Sequence, residues 1–322
     1  MLDHDQIKSS ARGDPKISVI ICTFNRCESL MKALKSVANS KLPGSVSWEV
    51  LIVDNNSTDN TASLVKNFCQ SNPDHFRYDF EGKQGKSHAL NHAIRQARGE
   101  VFAFMDDDVT VEPDWLWNLT ACLFEKRYLG SGGRILPERS FSPPRWLPLN
   151  ERYALAPLAV FDLGPDARDL DEPPFGTNMA FHRRTFDIYG GFRSDLGPRP
   201  GSEIRNEDTE LGRRLLAAGE RLRYEGSAVV YHAVPEHRLR RGYFLAWSFD
   251  KARADVREQG STNGKWAVSG VPLPLLRKIA IWTVRWIFAV QPSHRFSCKL
   301  NVWALAGSIL ENHRVVHGVE TS

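Results

Sequence analysis

Residues 101–108 read Val-Phe-Ala-Phe-Met-Asp-Asp-Asp, five apolar side chains followed at once by three carboxylates. An unbroken apolar run of this length suits a strand buried on both faces. Working back towards the N-terminus, similar runs recur at Glu49–Val53 and Ile17–Cys22, with a weaker one at Phe76–Phe80. Helical spacing fills the gaps. Leu30, Leu34 and Val37 make one apolar stripe. Leu64, Val65 and Phe68 make a second, with Asp59 or Asn60 placed to cap it. Ala89, Leu90, Ala93, Ile94 and Ala97 make a third, closed by Gly99. Repeated strand–helix units predict an α/β fold with a mostly parallel sheet and helices on both faces. In such a sheet ligands bind past the carboxyl ends of the strands. The polar residues there are Thr23, Asn25 and Arg26 after the first run, Asp54 to Ser57 and Asp59 after the second, and Asp106, Asp107 and Asp108 after the fourth.

Downstream the pattern loosens. Residues 130–175 are rich in Gly, Pro and Arg and predict loops around short elements. Phe175–Arg183 reads as a further strand, Glu207–Ala218 as a helix with Leu211, Leu215 and Leu216 on its apolar face, and Ala228–Tyr231 as a last strand before His232. The expected organisation is a tail over 1–14, a sheet domain over 15–234, and a basic, Trp-rich helical extension over 235–322.

The composition is that of a folded chain: 42% hydrophobic and 25% charged over 322 residues. The net charge of +4 is unevenly spread. From Pro235 onward there are 13 basic and 6 acidic residues, and five of the nine Trp; the preceding part carries 29 basic and 32 acidic residues. A uniformly cationic nucleic-acid binder is excluded, but a basic C-terminal segment is present. Five scattered Cys with no C-x-x-C pair fit neither a disulfide framework nor a structural zinc, and point to a reducing cytoplasm. The first ten residues hold no apolar run, so no signal peptide is expected.

Three adjacent carboxylates at a buried strand end repel one another and are costly to desolvate. A divalent cation offsets that cost. Oxygen ligands suit Mg2+ or Mn2+, which are commonly held by one or two carboxylates plus substrate phosphates. Alternate residues of an extended chain point the same way, so Asp106 and Asp108 can face one ligand. A solvated turn, or a cap on a helix over Glu112–Trp117, would also accommodate the triplet. Asn206-Glu207-Asp208 opens a helix, where the dipole favours an ionised carboxylate able to accept a proton; plain capping explains it as well. The Asp54 loop reads either as Asx turns or as a nucleotide-base pocket.

Taken together, ISVIICTFNR, VLIVDNNSTDNT, GKSHALNHAI, FAFMDDDV, GTNMAFHR and NEDTELGRRL resemble, in order and spacing, the inverting glycosyltransferases of glycosyltransferase family 2, over roughly residues 15–234. The resemblance implies a GT-A fold, a nucleotide-sugar donor with UDP as the default nucleotide, a Mn2+ or Mg2+ cofactor, and a glycan or lipid-linked acceptor. It places Thr23 and Asn25, beside Arg26, in the first nucleotide-contacting loop, and Asp54 on the carboxylate that accepts a hydrogen bond from uracil. Asp106 matches the first carboxylate of the D-x-D pair, near the ribose, and Asp108 the one on the metal, with Asp107 between them at the donor. Lys86 falls near the nucleotide or diphosphate, Asn178 in the segment facing the sugar, and His232 where some members place a metal or diphosphate ligand. Asp208 matches the general base, with Glu207 as its neighbour. Two departures stand out: Cys22 replaces the usual Pro, and the Q-x-x-R-W helix and multiple spans of the processive synthases are missing. Transfer of one sugar, or a few, is therefore expected.

Two rivals stay open. A sugar nucleotidylyltransferase would need a Gly-rich, Lys/Arg-bearing loop where this chain has CTFNRCESL. A non-catalytic nucleotide- or carbohydrate-binding module at a membrane is opposed by the presence of both Asp108 and Asp208. Leu275–Val290 is apolar yet carries Arg277, Lys278 and Arg285 among Trp282, Trp286 and Phe288. It is too short and too charged to span a bilayer. It predicts a helix lying in an anionic membrane interface, or else one packed on the sheet domain. The expected location is cytoplasmic, peripheral on the inner face of the cell membrane.

Overall fold

The structure, a computed structural model, describes residues 15–125, 127–139, 142–149, 151, 154–202, 204–260 and 267–318; the expected tail over 1–14 lies outside them. The four apolar runs become β1 (Ile17–Thr23), β2 (Trp48–Asp54), β3 (Phe76–Phe80) and β4 (Val101–Met105), parallel and in the order β3-β2-β1-β4. Every residue of β4 is buried, as its unbroken apolarity requires. The crossovers are α1 (Cys27–Ala38), α2 (Thr61–Ser71) and α3 (Lys86–Gln96). α1 buries Leu30, Leu34 and Val37, and α3 buries Ala89, Leu90 and Ala93. The α2 stripe is thinner than expected: Val65 is buried but Leu64 is exposed.

Past β4 the sheet changes direction. The next elements are β5 (Val109–Val111), α4 (Trp115–Phe124), β6 (Gly130–Pro137), β7 (Arg168–Leu170), β8 (Asn178–His182), α5 (Arg184–Tyr189), α6 (Glu207–Ala217) and β9 (Leu222–His232). β8 runs antiparallel to β4, β6 antiparallel to β8, and β9 parallel to β6; β5 and β7 both add antiparallel to β9. Two expectations need correction. The triplet leads into a strand, β5, and the helix behind it starts at Trp115 rather than Glu112. Within 130–175, expected as loops around short elements, residues 130–137 form a strand of eight residues inside the sheet.

The C-terminal segment is helical, as expected: α7 (Arg241–Gln259), α8 (Leu273–Phe288) and α9 (Pro292–His317). A second apolar core joins it to the sheet domain. Leu147 and Leu158 pack with Phe244 and Leu245 of α7 and Phe296 of α9, and the Trp146 ring meets Phe296 at 4.5 Å and Phe244 at 5.3 Å. α7 lies along α9, and α8 rests on α9 without burying any residue of its own.

Candidate active site

Register assembles the site. In the parallel β1–β2 pair Thr23 lies opposite Asp54. In the antiparallel β4–β8 pair Met105 lies opposite Asn178, which brings Asp106 beside Thr177. In the β5–β9 pair Val109 lies opposite His232, which brings Asp108 beside that imidazole. A cleft of about 700 Å3 opens at these strand ends. Its walls include Thr23, Arg26, Lys86, all three aspartates, Thr177, Glu207, Asp208 and His232. Arg238 and, from α7, Tyr243, Trp247 and Lys251 complete them.

The acidic turn is wrapped in donors and cations. Lys86 Nζ donates to Asp106 Oδ1 at 2.8 Å, and the Thr177 hydroxyl donates to Oδ2 at 2.8 Å. Burial alone would push the Asp106 carboxyl up; the Lys86 ammonium overrides it and holds Asp106 below the usual range. Asp107 accepts the Thr23 hydroxyl at 2.7 Å and Arg26 at 3.1 Å, yet burial wins there and pushes its carboxyl up to about 6. Asp108 accepts Arg26 at 2.8 Å, with His232 Nε2 at 3.6 Å from its Oδ1 and Arg238 at 3.7 Å from its Oδ2. Burial opposes its charge, but His232, Arg26 and Arg238 together hold Asp108 well below the usual carboxylate range. The three carboxylates thus divide their work. Both oxygens of Asp106, expected beside the metal, are occupied by Lys86 and Thr177. Asp108 Oδ1 is left with His232 Nε2 at 3.6 Å, and that nitrogen also meets Arg238 Nη1 at 3.1 Å.

The start of α6 forms the opposite wall. Glu207 is buried 3.4 Å from Lys86 Nζ, so one ammonium ties the acidic turn to this helix. Desolvation raises the Glu207 carboxyl, with Lys86 pulling the other way. Asp208 is held by peptide groups: Gly176 N–H donates to its Oδ2 at 2.6 Å, and the Thr209 N–H to its Oδ1 at 2.7 Å. Glycine at 176 makes this contact possible, because a Cβ there would stand 2.7 Å from Asp208 Oδ2 and push the carboxylate away. Asn206 does not cap the helix with its side chain. It adopts φ 81° and donates to Asp255 at 2.8 Å and Glu258 at 2.7 Å, anchoring α7 to the start of α6.

Three expected site residues are not among the residues that line the cleft. Asn25 has φ 52°, and its side-chain carbonyl accepts the Thr58 N–H at 2.7 Å, joining the first two loops. Asp54 is 1% exposed; its oxygens accept the Ser57 N–H at 2.9 Å and the Tyr78 hydroxyl at 3.1 Å. Asn178, expected to face the sugar, is fully buried. It donates to the Arg134 and Ala228 carbonyls at 3.0 and 2.9 Å and accepts Trp115 Nε1 at 2.8 Å, which stitches β8 to its neighbours. Conversely, Thr177, Tyr243, Trp247 and Lys251 line the cleft without having been singled out. The Thr177 signal was available, next to Asn178 in GTNMAFHR; the α7 residues follow no strand and carry no local signal.

Comparison with known proteins agrees with this architecture. A sequence model of glycosyl transferase family 2 matches residues 18–186. The succinoglycan biosynthesis protein ExoM of Rhizobium meliloti is 27% identical over 72% of this chain and 70% of its own length. The glucosyl-dolichyl phosphate glucuronosyltransferase of Haloferax volcanii is 26% identical over 73% of this chain and 74% of its own. Among solved structures, the mannosyltransferase PcManGT of Pyrobaculum calidifontis, in complex with GDP-Man and Mn2+, superposes with a TM-score of 0.58 over 96% of this chain and 77% of its own, at 23% identity. The nine-stranded mixed sheet flanked by helices is a GT-A fold. The chain belongs to glycosyl transferase family 2 and is a glycosyltransferase.

Proposed function

We propose that this enzyme moves a sugar from a nucleoside-diphosphate donor to a hydroxyl of a glycan or lipid-linked acceptor, with inversion at the anomeric carbon and with a divalent cation. One observation carries the reading: Asp108 and Asp208, a hundred residues apart in the sequence, line a single cleft. A cation fits one corner of it. Asp108 Oδ1 and His232 Nε2 lie 3.6 Å apart, an oxygen and a nitrogen donor that suit Mn2+ and, through the carboxylate, Mg2+; Arg238 Nη1, now 3.1 Å from that nitrogen, would have to give way. Among the described residues no cluster of three or more His, Cys, Asp or Glu could hold a metal alone. The donor's phosphates would complete the shell, as is common for these ions. A bound cation would supply charge neutralisation at the departing diphosphate.

The chain's own groups do the rest. Arg26 and Arg238 flank Asp108 and can turn to phosphate oxygens once a cation takes over that carboxylate's charge. Thr23 shapes the donor wall, and Asn25 and Asp54 brace the loops beside it. Glu207 and Asp106 share Lys86 and keep the two walls in register. The acceptor hydroxyl attacks C1 from the face opposite the diphosphate. The new bond joins the acceptor oxygen to C1, the bond from C1 to the phosphate oxygen breaks, and the proton passes to Asp208. A carboxylate is a far weaker base than an alkoxide, so the proton moves late, and orienting the hydroxyl is much of what Asp208 contributes. Tyr243 and Trp247 offer flat apolar faces to the acceptor.

We take the donor to be a UDP-sugar, the nucleotide the family resemblance implies. The reaction belongs in the cytoplasm, at the inner face of the cell membrane, where nucleotide sugars and lipid-linked acceptors meet. Residues 235–318 belong to the catalytic unit, since α7 forms part of the cleft wall. A thermal-shift screen of UDP- and GDP-sugars with and without Mn2+ tests the reading. One donor is expected to raise the Tm only when the cation is present. No response to any nucleotide sugar with Mn2+ or Mg2+ would overturn it.

A further inference from the structure

α8 is unlike the other long helices: 16 residues with none buried. Its outward side is apolar. Val284 is 54% exposed, Ile287 60% and Phe288 77%, and Val290 just beyond is 93% exposed. Its inward side is fastened to α9, where Trp286 meets Trp303 at 6.0 Å and Lys299 lies 5.2 Å over the Trp286 ring. Position and orientation are therefore fixed while the apolar face stays uncovered. Contiguous exposed apolar surface of this kind marks an interaction site.

Charge selects the occupant. Between Glu258 and Glu311 the chain has six basic residues, Lys265, Arg277, Lys278, Arg285, Arg295 and Lys299, and no acidic one. Arg277, Lys278 and Arg285 lie exposed on α8 itself. A second copy docking here would bring like charges together. Among the described residues no helix is long and apolar enough to cross a membrane. An apolar face edged with arginine and lysine matches the boundary between acyl chains and anionic headgroups.

We infer that α8 is the surface by which this enzyme docks, lying in the interface, on an anionic lipid bilayer. The helix hairpin carries the consequence to the active site: α8 rests on α9, α9 on α7, and α7 places Tyr243, Trp247 and Lys251 in the cleft. That consequence rests on the lipid-linked acceptor proposed above; the docking does not.

The test is flotation of the full chain with vesicles of phosphatidylcholine containing phosphatidylglycerol, and with phosphatidylcholine alone. Wild type should float with the anionic vesicles and lose binding as salt rises. The double variant Ile287→Glu/Phe288→Glu should lose at least tenfold in bound fraction, and Arg277→Glu/Lys278→Glu should lose as much. Thermal melts and calorimetric donor binding check that both remain folded. Should the first melt early, the second, altered only at exposed side chains, decides. Absence of wild-type flotation overturns the inference, as does undiminished flotation of a folded variant. A wild-type dimer by light scattering that Ile287→Glu/Phe288→Glu splits, without vesicle binding, overturns it in favour of a second copy. Failure of every nucleotide sugar to bind would remove the proposed function and leave the flotation result standing.

Discussion

The two acidic clusters, Asp106-Asp107-Asp108 and Glu207-Asp208, share a cleft but are treated in opposite ways. The first sits at a buried strand end among Arg26, Lys86, His232 and Arg238, so its charge is compensated before any ligand arrives. The second sits at a helix start, where Glu207 has only a share of the Lys86 ammonium, at 3.4 Å, and Asp208 is held by N–H groups. A carboxylate surrounded by cations is suited to exchange one positive partner for another, as metal and diphosphate binding require. A carboxylate oriented by amides keeps its remaining lone pairs for an incoming hydroxyl. The difference assigns electrostatics to one wall and proton chemistry to the other.

The largest effect should come from Asp208→Asn. The amide carbonyl can still accept the Gly176 N–H but cannot take a proton, so turnover should fall by about a thousandfold. Donor affinity by calorimetry should stay near wild type. Full turnover at saturating acceptor would move the base elsewhere. Asp108→Ala attacks the other wall and should read out in binding. Losing one charge-assisted ligand should weaken Mn2+-dependent donor binding by about ten- to a hundredfold. Arg26, Arg238 and His232 remain to attract the diphosphate, so titrations with and without Mn2+ should converge. An unchanged gap between them would refute Asp108 as the metal ligand.

Asn206→Gly tests how the second wall is aimed. Glycine keeps the positive φ but drops both hydrogen bonds to α7. Turnover should fall by about tenfold with donor KM little changed, because the cleft wall that α7 supplies shifts relative to Asp208. Unaltered kinetics would mean that the apolar core around Phe244 and Phe296, with the Arg193 and Arg213 contacts to α7, suffices to set that helix.

What could be foreseen follows the same division. β1 to β4 and the residues after them were legible because buried parallel strands are written as unbroken apolar runs and the loops follow directly. β6 was not. Its Gly130, Gly132 and Gly133 are poor strand formers, yet they are there because Cβ atoms at those positions would run into Phe181, Pro174 and Asn178. Asn178 was placed in the right segment and on the wrong side, since a strand alternates and only pairing tells which face meets the cleft. The α7 contribution was invisible for a different reason: it depends on a tertiary contact, Asn206 with Asp255 and Glu258, across 49 and 52 residues of sequence.

Glu207→Gln should produce the smallest effect and the most specific one. Glu207 is 4% exposed, and its burial raises its carboxyl above the ordinary 4.5 despite Lys86. The native state then holds that proton more tightly than the unfolded chain does. Between the ordinary value and the raised one, native molecules carry a proton that unfolded molecules have lost, so stability falls as pH rises through that window. Above the window the native state carries the full cost of a buried carboxylate. Glutamine removes the titration while preserving the shape. In chelated, metal-free protein the variant should therefore lose less Tm than wild type between pH 4.5 and neutrality, by a few degrees, and match it more closely below. Turnover should stay within about tenfold of wild type, because the proton goes to Asp208. Parallel melting profiles for the two proteins would mean that Lys86 fully compensates Glu207. The two walls would then differ less in their electrostatics than their burial implies.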